Sequence, residues 1–209
     1  LLAQGADGDG EEISFEGEKP VYLEDNFNWA SVATFGGVNG FPTTEVSIIH
    51  ASLNDAQLDT IAYYGWTGPL RCSYLRPGMM KLGKTNVGGD LVSPPFTRIG
   101  EGTVDLTVYF DVSIYASAGG TKDMDGVIVE VLNDGTVNGR TDTEYRMAVN
   151  HFTNQAVEIT TPLKRVSVKI YGATARTQFR IRSLVPDVEQ RNQGRSNRFF
   201  FDNFKVEKR

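Results

Sequence analysis

Residues 103–115 alternate apolar and polar side chains without a break, in the run TVDLTVYFDVSIY. Apolar residues at every second position from Val104 to Ile114 indicate a β-strand, because successive side chains of a strand point to opposite faces of its sheet. The pattern predicts a long strand with one face in the core, and it places Phe110 in the middle of that face. Shorter runs of the same kind occur at residues 126–132, 165–171, 178–185 and 198–206.

Turn residues separate these runs. The chain has 209 residues, of which 22 are glycine and 8 are proline, and the turn signal from Asn133 to Gly135 predicts that the strand at residues 126–132 ends in a hairpin. Strands that recur without intervening helices predict an all-β fold, an antiparallel two-sheet sandwich, which at this length is most often a jelly roll. We predict a single jelly-roll domain over residues 21–209, preceded by a flexible acidic tether over residues 1–20.

One segment, SLNDAQLDTIAYYGW, has the pattern of a helix. Asn54 is a favourable N-cap, and Gln57 three residues later completes a capping box. Gly65 ends the apolar stripe that follows. The sequence therefore predicts one short helix near residues 55–64, packed across an end or edge of a sheet.

The final strand, RFFFDNFKV at residues 198–206, changes its inward parity. Apolar residues occupy odd positions up to Phe201 and even positions from Phe204 onward, so the pattern shifts at Asp202. A carboxylate on the apolar face of a strand must be compensated by a cation, by backbone amides at a β-bulge, or by an arginine such as Arg198. The sequence leaves these three explanations open.

Charge and composition narrow the possible partners. The net charge is −5, but residues 1–60 carry eleven acids and one lysine, net −10, whereas residues 161–209 carry twelve bases and four acids, net +8. No recognition helix, RNA-binding aromatic motif or zinc-ligand spacing accompanies the basic region, so nucleic acid is not a predicted partner. No apolar run approaches the length of a membrane span, and Cys72 is the single cysteine, so no internal disulfide is predicted.

Short catalytic motifs are missing from the sequence. His50 and His151 have no second histidine at metal-ligand spacing, and no nucleophile elbow or phosphate loop occurs. Paired carboxylates for glycosidic cleavage can come from distant positions, and Glu130 and Glu144 are the candidates for such a pair. The sequence leaves open whether the chain is an enzyme and favours a non-enzyme.

The order of motifs from Gly65 to Val112 resembles that of a known group of domains. A GW pair, a strand ending in KLG, a glycine-bearing loop and GDLVSPPF precede the long alternating strand, and FFFDNFKV closes the chain. This order is similar to jelly-roll modules of bacterial secreted and outer-surface proteins, grouped with galactose-binding-like domains and carbohydrate-binding modules. The resemblance implies an extracellular, non-catalytic module of a glycan-handling system, secreted or attached to the cell surface through an upstream lipid anchor.

The resemblance implies binding of carbohydrate or of a cell-surface protein. Sugar-binding sandwiches place aromatic rings against pyranose rings and use polar side chains for the hydroxyls. The predicted carbohydrate-binding residues are Trp66, Tyr115, Tyr145, Arg140 and Arg146. Two alternatives stay open: a structural or adhesion domain without a small-molecule site, and a glycoside hydrolase or polysaccharide lyase on the same fold.

The resemblance also implies a cofactor. In such modules the chain ends come together, and a structural calcium is often held there by acidic side chains and carbonyl oxygens. The predicted calcium ligands are Glu24, Asp25 and Asp202, and the alternative is a bulge that contains Asp202.

Overall fold

A computed structural model describes residues 18–31, 64–70, 73–76, 78–139, 141–154, 163–184 and 196–209. Of the predicted tether, only residues 18–20 are described, and they have no regular secondary structure. Of the predicted helix, only Tyr64 is described, and it lies in a turn. Within the described residues the one helical segment is a single turn of 3-10 helix, Thr97–Ile99. No helix in this part of the chain is long and apolar enough to cross a membrane.

The described residues form strands that belong to two sheets. In chain order these strands are β1 Val21–Asp25, β2 Ser73–Arg76, β3 Met79–Leu82, β4 Asp90–Val92, β5 Val104–Ala116, β6 Gly126–Leu132, β7 Thr136–Val137, β8 Glu144–Ala148, β9 Phe152–Asn154, β10 Lys164–Ala173, β11 Gln178–Arg182 and β12 Phe199–Lys208.

The larger sheet has the order β2-β3-β12-β5-β10-β7, and in addition β1 pairs with β12 and β9 pairs with β5. The smaller sheet has the order β4-β11-β6-β8. Strand pairs are antiparallel except for β5 and β9, which are parallel. This arrangement confirms the predicted all-β fold, an antiparallel two-sheet sandwich.

The predicted turn after β6 exists, but the predicted hairpin does not. Asn133 and Gly135 have φ angles of 73° and 97°, as a tight turn requires. The next strand, β7, then pairs with β10 of the larger sheet and not with β6. The prediction was wrong because turn residues fix the local path of the chain and do not select the strand with which it pairs.

The parity change in the last strand is a β-bulge. Asp202 lies opposite Asp111, and Lys205 lies opposite Tyr109, so β12 contains one residue more than β5 in this interval. Asn203 has a φ angle of 48°, a left-handed conformation that asparagine adopts more readily than most residues. The bulge, one of the three explanations that the sequence left open, is therefore present in the backbone.

β12 changes one of its neighbours at this bulge. Its residues up to Phe201 pair with β3, and those from Phe204 onward pair with β1, while β5 lies alongside both halves. The extra residue turns both phenylalanines into the core, where they are fully buried with ring centroids 6.1 Å apart. The bulge thus lets one strand join three neighbours and keep its aromatic side chains inside.

The core lies between the two sheets. Along β5 the alternate residues from Leu106 to Ile114 are fully buried, which confirms the inward face predicted for this strand. Phe110 contacts Phe179 of the smaller sheet, with ring centroids 5.4 Å apart. Among the fully buried aromatic residues of the described chain, six form a connected set of ring contacts: Phe27, Trp66, Phe110, Phe179, Phe201 and Phe204.

Replacement of Phe110 by alanine tests this core. Phe110→Ala is expected to lower the free energy of unfolding by about 3–5 kcal/mol, because it removes a buried ring that touches both sheets and leaves a cavity. Urea denaturation measures the loss. Ser167→Ala, at an exposed position of the neighbouring strand β10, is the control and should change stability by less than about 0.5 kcal/mol. A loss of about 1 kcal/mol or less for Phe110→Ala would contradict the assigned core.

Candidate functional site

An open pocket of about 510 Å³ lies at the end of the sandwich where β5 ends and β12 begins. The loop after β5, strands β8 and β9, and the residues just before β12 form its walls. Its charged side chains are Lys122, Asp123, Asp125, Arg146 and Arg198, and among the described residues of the lining Phe152 supplies the one aromatic ring.

Arg198 holds one wall of the pocket in place. Its Nε and Nη2 atoms each donate to a carboxylate oxygen of Asp123 at 2.8 Å, and its backbone N–H donates to the same side chain at 2.8 Å. Burial works to lower the pKa of Arg198, but the hydrogen bonds and charge of Asp123 outweigh burial, and the pKa is raised. The guanidinium also lies 3.7 Å from the ring centroid of Tyr115. Asp123 and Arg198 are therefore a fixed, mutually neutralised pair.

Buried hydrogen bonds fix the backbone behind this pair. The side chain of Asn197 is fully buried, donates to the carbonyl oxygens of Met124 and Gly126 at 2.7 and 3.0 Å, and accepts from the backbone N–H of Leu184 at 2.6 Å. Ser196 Oγ accepts the backbone N–H of Asn86 at 3.1 Å. The rim residues next to these anchors are consequently held by the fold before any ligand arrives.

Other charged groups of the pocket form no ion pair with the described residues. Lys122 Nζ lies 4.5 Å from the ring centroid of Phe152, a cation–π contact that orients its ammonium. Lys122, Asp125 and Arg146 are exposed, and within the described part of the chain none of the three has an ion-pair partner. The hydroxyl of Thr121 is also exposed at the rim. These groups can serve an external ligand.

A second pocket, of about 470 Å³, lies at the opposite end of the sandwich, but several of its polar groups are bonded within the fold. Asn133 Nδ2 donates to the Arg176 carbonyl oxygen and to Gln178 Oε1 at 3.0 and 3.1 Å. Arg176 is paired with Asp134 at 2.9 Å. We therefore take the first pocket as the candidate site.

The predicted carbohydrate-binding residues differ in their burial and in their distance from the pocket. Arg146 lines the pocket, and Tyr115 lies beneath its wall but is only 4 % exposed. Trp66 is fully buried, and its Nε1–H donates to Asp25 Oδ2 at 2.7 Å. Tyr145 is half-buried and packs against the core. Arg140 lies outside the described residues.

The side chains that can contact a sugar in the structure differ from those that the sequence predicted. Trp66 and Tyr115 have no ring face accessible to a ligand. Trp66 is fully buried in the core, and Tyr115 is 4 % exposed and covered by the guanidinium of Arg198. Of the four predicted residues that the structure describes, only Arg146 is both exposed and at the pocket. Sequence reasoning missed Lys122 and Phe152, and it proposed Arg198 as a partner of Asp202, whereas Arg198 pairs with Asp123. No local pattern marks these residues, because they meet through contacts distant in sequence.

The predicted calcium ligands do not converge. Asp25 accepts the backbone N–H of Phe27 at 2.8 Å and the indole N–H groups of Trp29 and Trp66 at 3.0 and 2.7 Å, so both carboxylate oxygens are already occupied. Glu24 is exposed and, as its neighbour in a strand, faces the other side. In the described part of the chain, no three acidic, histidine or cysteine side chains lie close enough to hold a metal. As placed, Glu24 and Asp25 do not fit a shared ion with Asp202.

Asp202 is satisfied by the bulge itself. Its carboxylate accepts the backbone N–H of Asn203 at 2.6 Å and Asn203 Nδ2 at 3.2 Å. Asn203 Nδ2 also donates to Asp111, and Arg165 Nη1 donates to Asp111 at 3.0 Å and to the Asn203 carbonyl oxygen at 2.7 Å. The pKa of Asp202 is raised to about 7, first by burial and then by the carboxylates of Asp111 and Asp25, against the opposing effects of the Asn203 N–H and the Arg165 charge.

The candidate catalytic pair is bridged by an arginine. Glu130 and Glu144 lie directly opposite each other on β6 and β8. Arg182 lies between them, with Nε 2.7 Å from Glu130 and Nη2 2.7 Å from Glu144, and Arg180 also pairs with Glu130 at 2.8 Å. Burial raises the pKa of Glu130, but the hydrogen bond from Arg182 and the two arginine charges outweigh it, and the pKa is lowered. A glycosidase acid needs a raised pKa and open space between the carboxylates, so this pair lacks that arrangement.

Comparisons with known proteins found no matching family model and no matching curated protein. Three solved structures illustrate what the chain is similar to. The CBM22-1 xylan-binding domain of Xyn10C from Paenibacillus barcinonensis is 9 % identical with a TM-score of 0.39, over 91 % of this chain and 95 % of that one. TmCBM61, solved with β-1,4-galactotriose, is 10 % identical with a TM-score of 0.35, over 76 % and 98 % of the two chains.

The third structure is the arabinose-bound MgGH51 α-L-arabinofuranosidase, which is 10 % identical with a TM-score of 0.42. The match covers 91 % of this chain and only 27 % of the enzyme. At this level of similarity, function has to be argued from the residues of the chain itself.

The raised pKa of Asp202 predicts a pH-dependent stability. Because the folded-state pKa is about 7, against about 3.9 for an ordinary aspartate, the native state retains a proton that the unfolded state releases, and stability falls as pH rises from about 4 to about 7. Asp202→Asn cannot titrate, so its stability relative to the parent protein should increase between about pH 5 and about pH 8.

Chemical denaturation across this pH range measures the difference. Asp142→Asn is the matched control, because Asp142 is exposed and has no ion pair in the described part of the chain. Its stability relative to the parent should stay level with pH. A level difference for Asp202→Asn as well would contradict the environment assigned to Asp202.

The calcium site that the sequence predicts at Glu24, Asp25 and Asp202 is tested by thermal melting. Since the oxygens of Asp25 are occupied by N–H donors, we expect the same melting midpoint in calcium and after exhaustive chelation. An ion bound at 100 times its dissociation constant adds about 2.7 kcal/mol, which moves the midpoint by several degrees. A shift of that size that disappears in Asp202→Asn would restore the calcium site.

Proposed function

We propose that this chain is a non-catalytic carbohydrate-binding module and that the pocket between the loop after β5, strands β8 and β9, and the start of β12 is its binding site. One observation carries the proposal: Lys122, Asp125 and Arg146 line one pocket, and none of the three has an ion-pair partner among the described residues. Sugar hydroxyls need both donors and acceptors, which these side chains supply together with the hydroxyl of Thr121.

The hydrogen bonds that hold the pocket wall in place favour ligand binding. The pair of Asp123 and Arg198 and the buried bonds of Asn197 fix the wall, so little order has to be created there when a ligand binds. The arginine between Glu130 and Glu144 favours binding over cleavage, because it occupies the space that a glycosidic bond would need.

The sequence resemblance suggests where the module works. We infer that the module works outside the cell or on its surface, in a glycan-handling system, as a secreted or lipid-anchored protein. Its partner in that setting is carbohydrate or a cell-surface protein that carries it.

A glycan array followed by titration calorimetry tests the proposal. We expect binding of at least one class of polysaccharide, and Arg146→Ala should weaken it about tenfold or more, because a hydrogen bond to a charged group contributes about 1.5–3 kcal/mol. Arg176→Ala, at the opposite pocket, is the matched control and should bind like the parent protein. Equal loss in both variants would contradict the assigned site.

Two other results decide between the remaining functions. If no glycan binds, the chain is a structural or adhesion domain and the proposal is wrong. Release of reducing sugar, or of unsaturated products, from mixed polysaccharides would instead identify a hydrolase or a lyase.

A further inference from the structure

We propose that the pocket selects an acidic glycan and binds the carboxylate of a uronic acid residue between Lys122 and Arg146. This inference rests on the proposed function and specifies its ligand class. It follows from three features of the pocket: its charge balance, the contact that orients Lys122, and the position of Arg146.

The charge balance leaves cations in excess. Among the described residues, the lining contains three basic side chains and two carboxylates. Asp123 is 4 % exposed and is bound by Arg198 through two hydrogen bonds, so this pair presents no net charge to a ligand. Lys122 and Arg146 then stand against Asp125 alone, and an anionic group bound between the two cations restores neutrality.

Lys122 occupies the surface that a neutral sugar would use. Neutral pyranose rings bind protein mainly by stacking their apolar faces on aromatic rings. Phe152 is half-buried, and the ammonium of Lys122 lies over it at 4.5 Å. The ring therefore positions a cation at the pocket instead of offering a free stacking surface, and binding by charge is favoured over stacking.

Arg146 differs from the other arginines on the outer face of the smaller sheet. Arg180 is paired with Asp90 and Glu130, and Arg182 is paired with Glu130 and with a further glutamate on β8. Arg146 lies on the same face, opposite Ile128, and has no carboxylate partner among the described residues. A guanidinium binds a carboxylate through two parallel hydrogen bonds, which a uronate provides.

Asp125 completes the recognition of a sugar. A carboxylate cannot bind another carboxylate, but it accepts hydrogen bonds from hydroxyl groups. Asp125 is exposed and lines the same pocket as both cations, so it can accept a hydrogen bond from a hydroxyl of the sugar residue whose carboxylate they bind. This arrangement distinguishes an acidic sugar from a simple anion, which has no hydroxyl to donate.

Three polymers separate the possible ligand chemistries. Titration calorimetry compares short polygalacturonate fragments, the same fragments after methyl esterification, and dextran sulfate. We expect the uronate to bind, esterification to weaken binding about tenfold or more, and added salt to weaken binding of the free acid. Dextran sulfate should bind more weakly than the uronate, because sulfate carries the charge but not the planar carboxylate.

Two variants of the pocket test whether it is the site at which the uronate binds. Lys122→Gln and Arg146→Gln remove the charge and keep an unbranched side chain with a polar end, and each should weaken binding of the uronate about tenfold while it leaves binding of the ester unchanged. Lys169→Gln and Arg98→Gln are the charge-matched controls, since both residues are exposed and outside this pocket.

The outcomes distinguish this inference from the proposed function. If the ester or another neutral glycan binds as well as the acid, and each pocket variant weakens binding of both alike, the acidic selectivity is wrong and carbohydrate binding at this pocket stands. If both pocket variants bind every glycan like the parent, the pocket is not the binding site and both proposals fail. Stronger binding of dextran sulfate than of the uronate overturns the choice of carboxylate. If no glycan binds, acidic or neutral, the proposed function fails with it.

Discussion

The bulge in β12 is the constraint on which the rest of the sandwich depends. β12 lies at the centre of the larger sheet, with β5 on one side and first β3 and then β1 on the other. Without the extra residue, either Phe201 or Phe204 would point away from the core, because a shift of one residue moves every later side chain to the opposite face. Trp66 contacts Phe204 at 5.1 Å and Phe27 at 5.0 Å, so the aromatic centre requires the bulge.

The sequence could predict the strands because their apolar period depends only on local geometry. The buried face of β5, with Phe110 at its middle, follows from alternation alone, and the interruption at Asp202 follows from its loss. Pairing partners could not be predicted in the same way. The turn from Asn133 to Gly135 is as predicted, but the chain leaves it for the other sheet, because the choice of partner depends on the packing of strands distant in sequence.

The candidate site was harder to predict than the strands. Alternation along a strand shows which face of the sheet a side chain is on, but it does not show whether solvent reaches that face. Tyr115 lies on the polar parity of β5, yet it is 4 % exposed, and its neighbours Ser113 and Phe200 on the same outer face are fully buried. The larger sheet is thus buried on both faces at this end. The pair of Asp123 and Arg198 joins residues 75 positions apart, and such a pair has no signature in a single sequence.

Arg198 connects the pocket to the strands that form the core. It immediately precedes β12, its carbonyl oxygen accepts the backbone N–H of Tyr115 at 2.9 Å, and the Tyr115 carbonyl oxygen accepts the N–H of Asp123 at 3.1 Å. One wall of the pocket is therefore an extension of the ladder between β5 and β12, and it is ordered before a ligand binds. Lys122 and Arg146 are exposed and must lose side-chain freedom on binding, which costs about 0.5–1.5 kcal/mol for each. In the proposed complex the charge of an anionic sugar offsets that cost, because Lys122 and Arg146 have no ion-pair partner in the described part of the chain. A neutral sugar would bring no charge to do so.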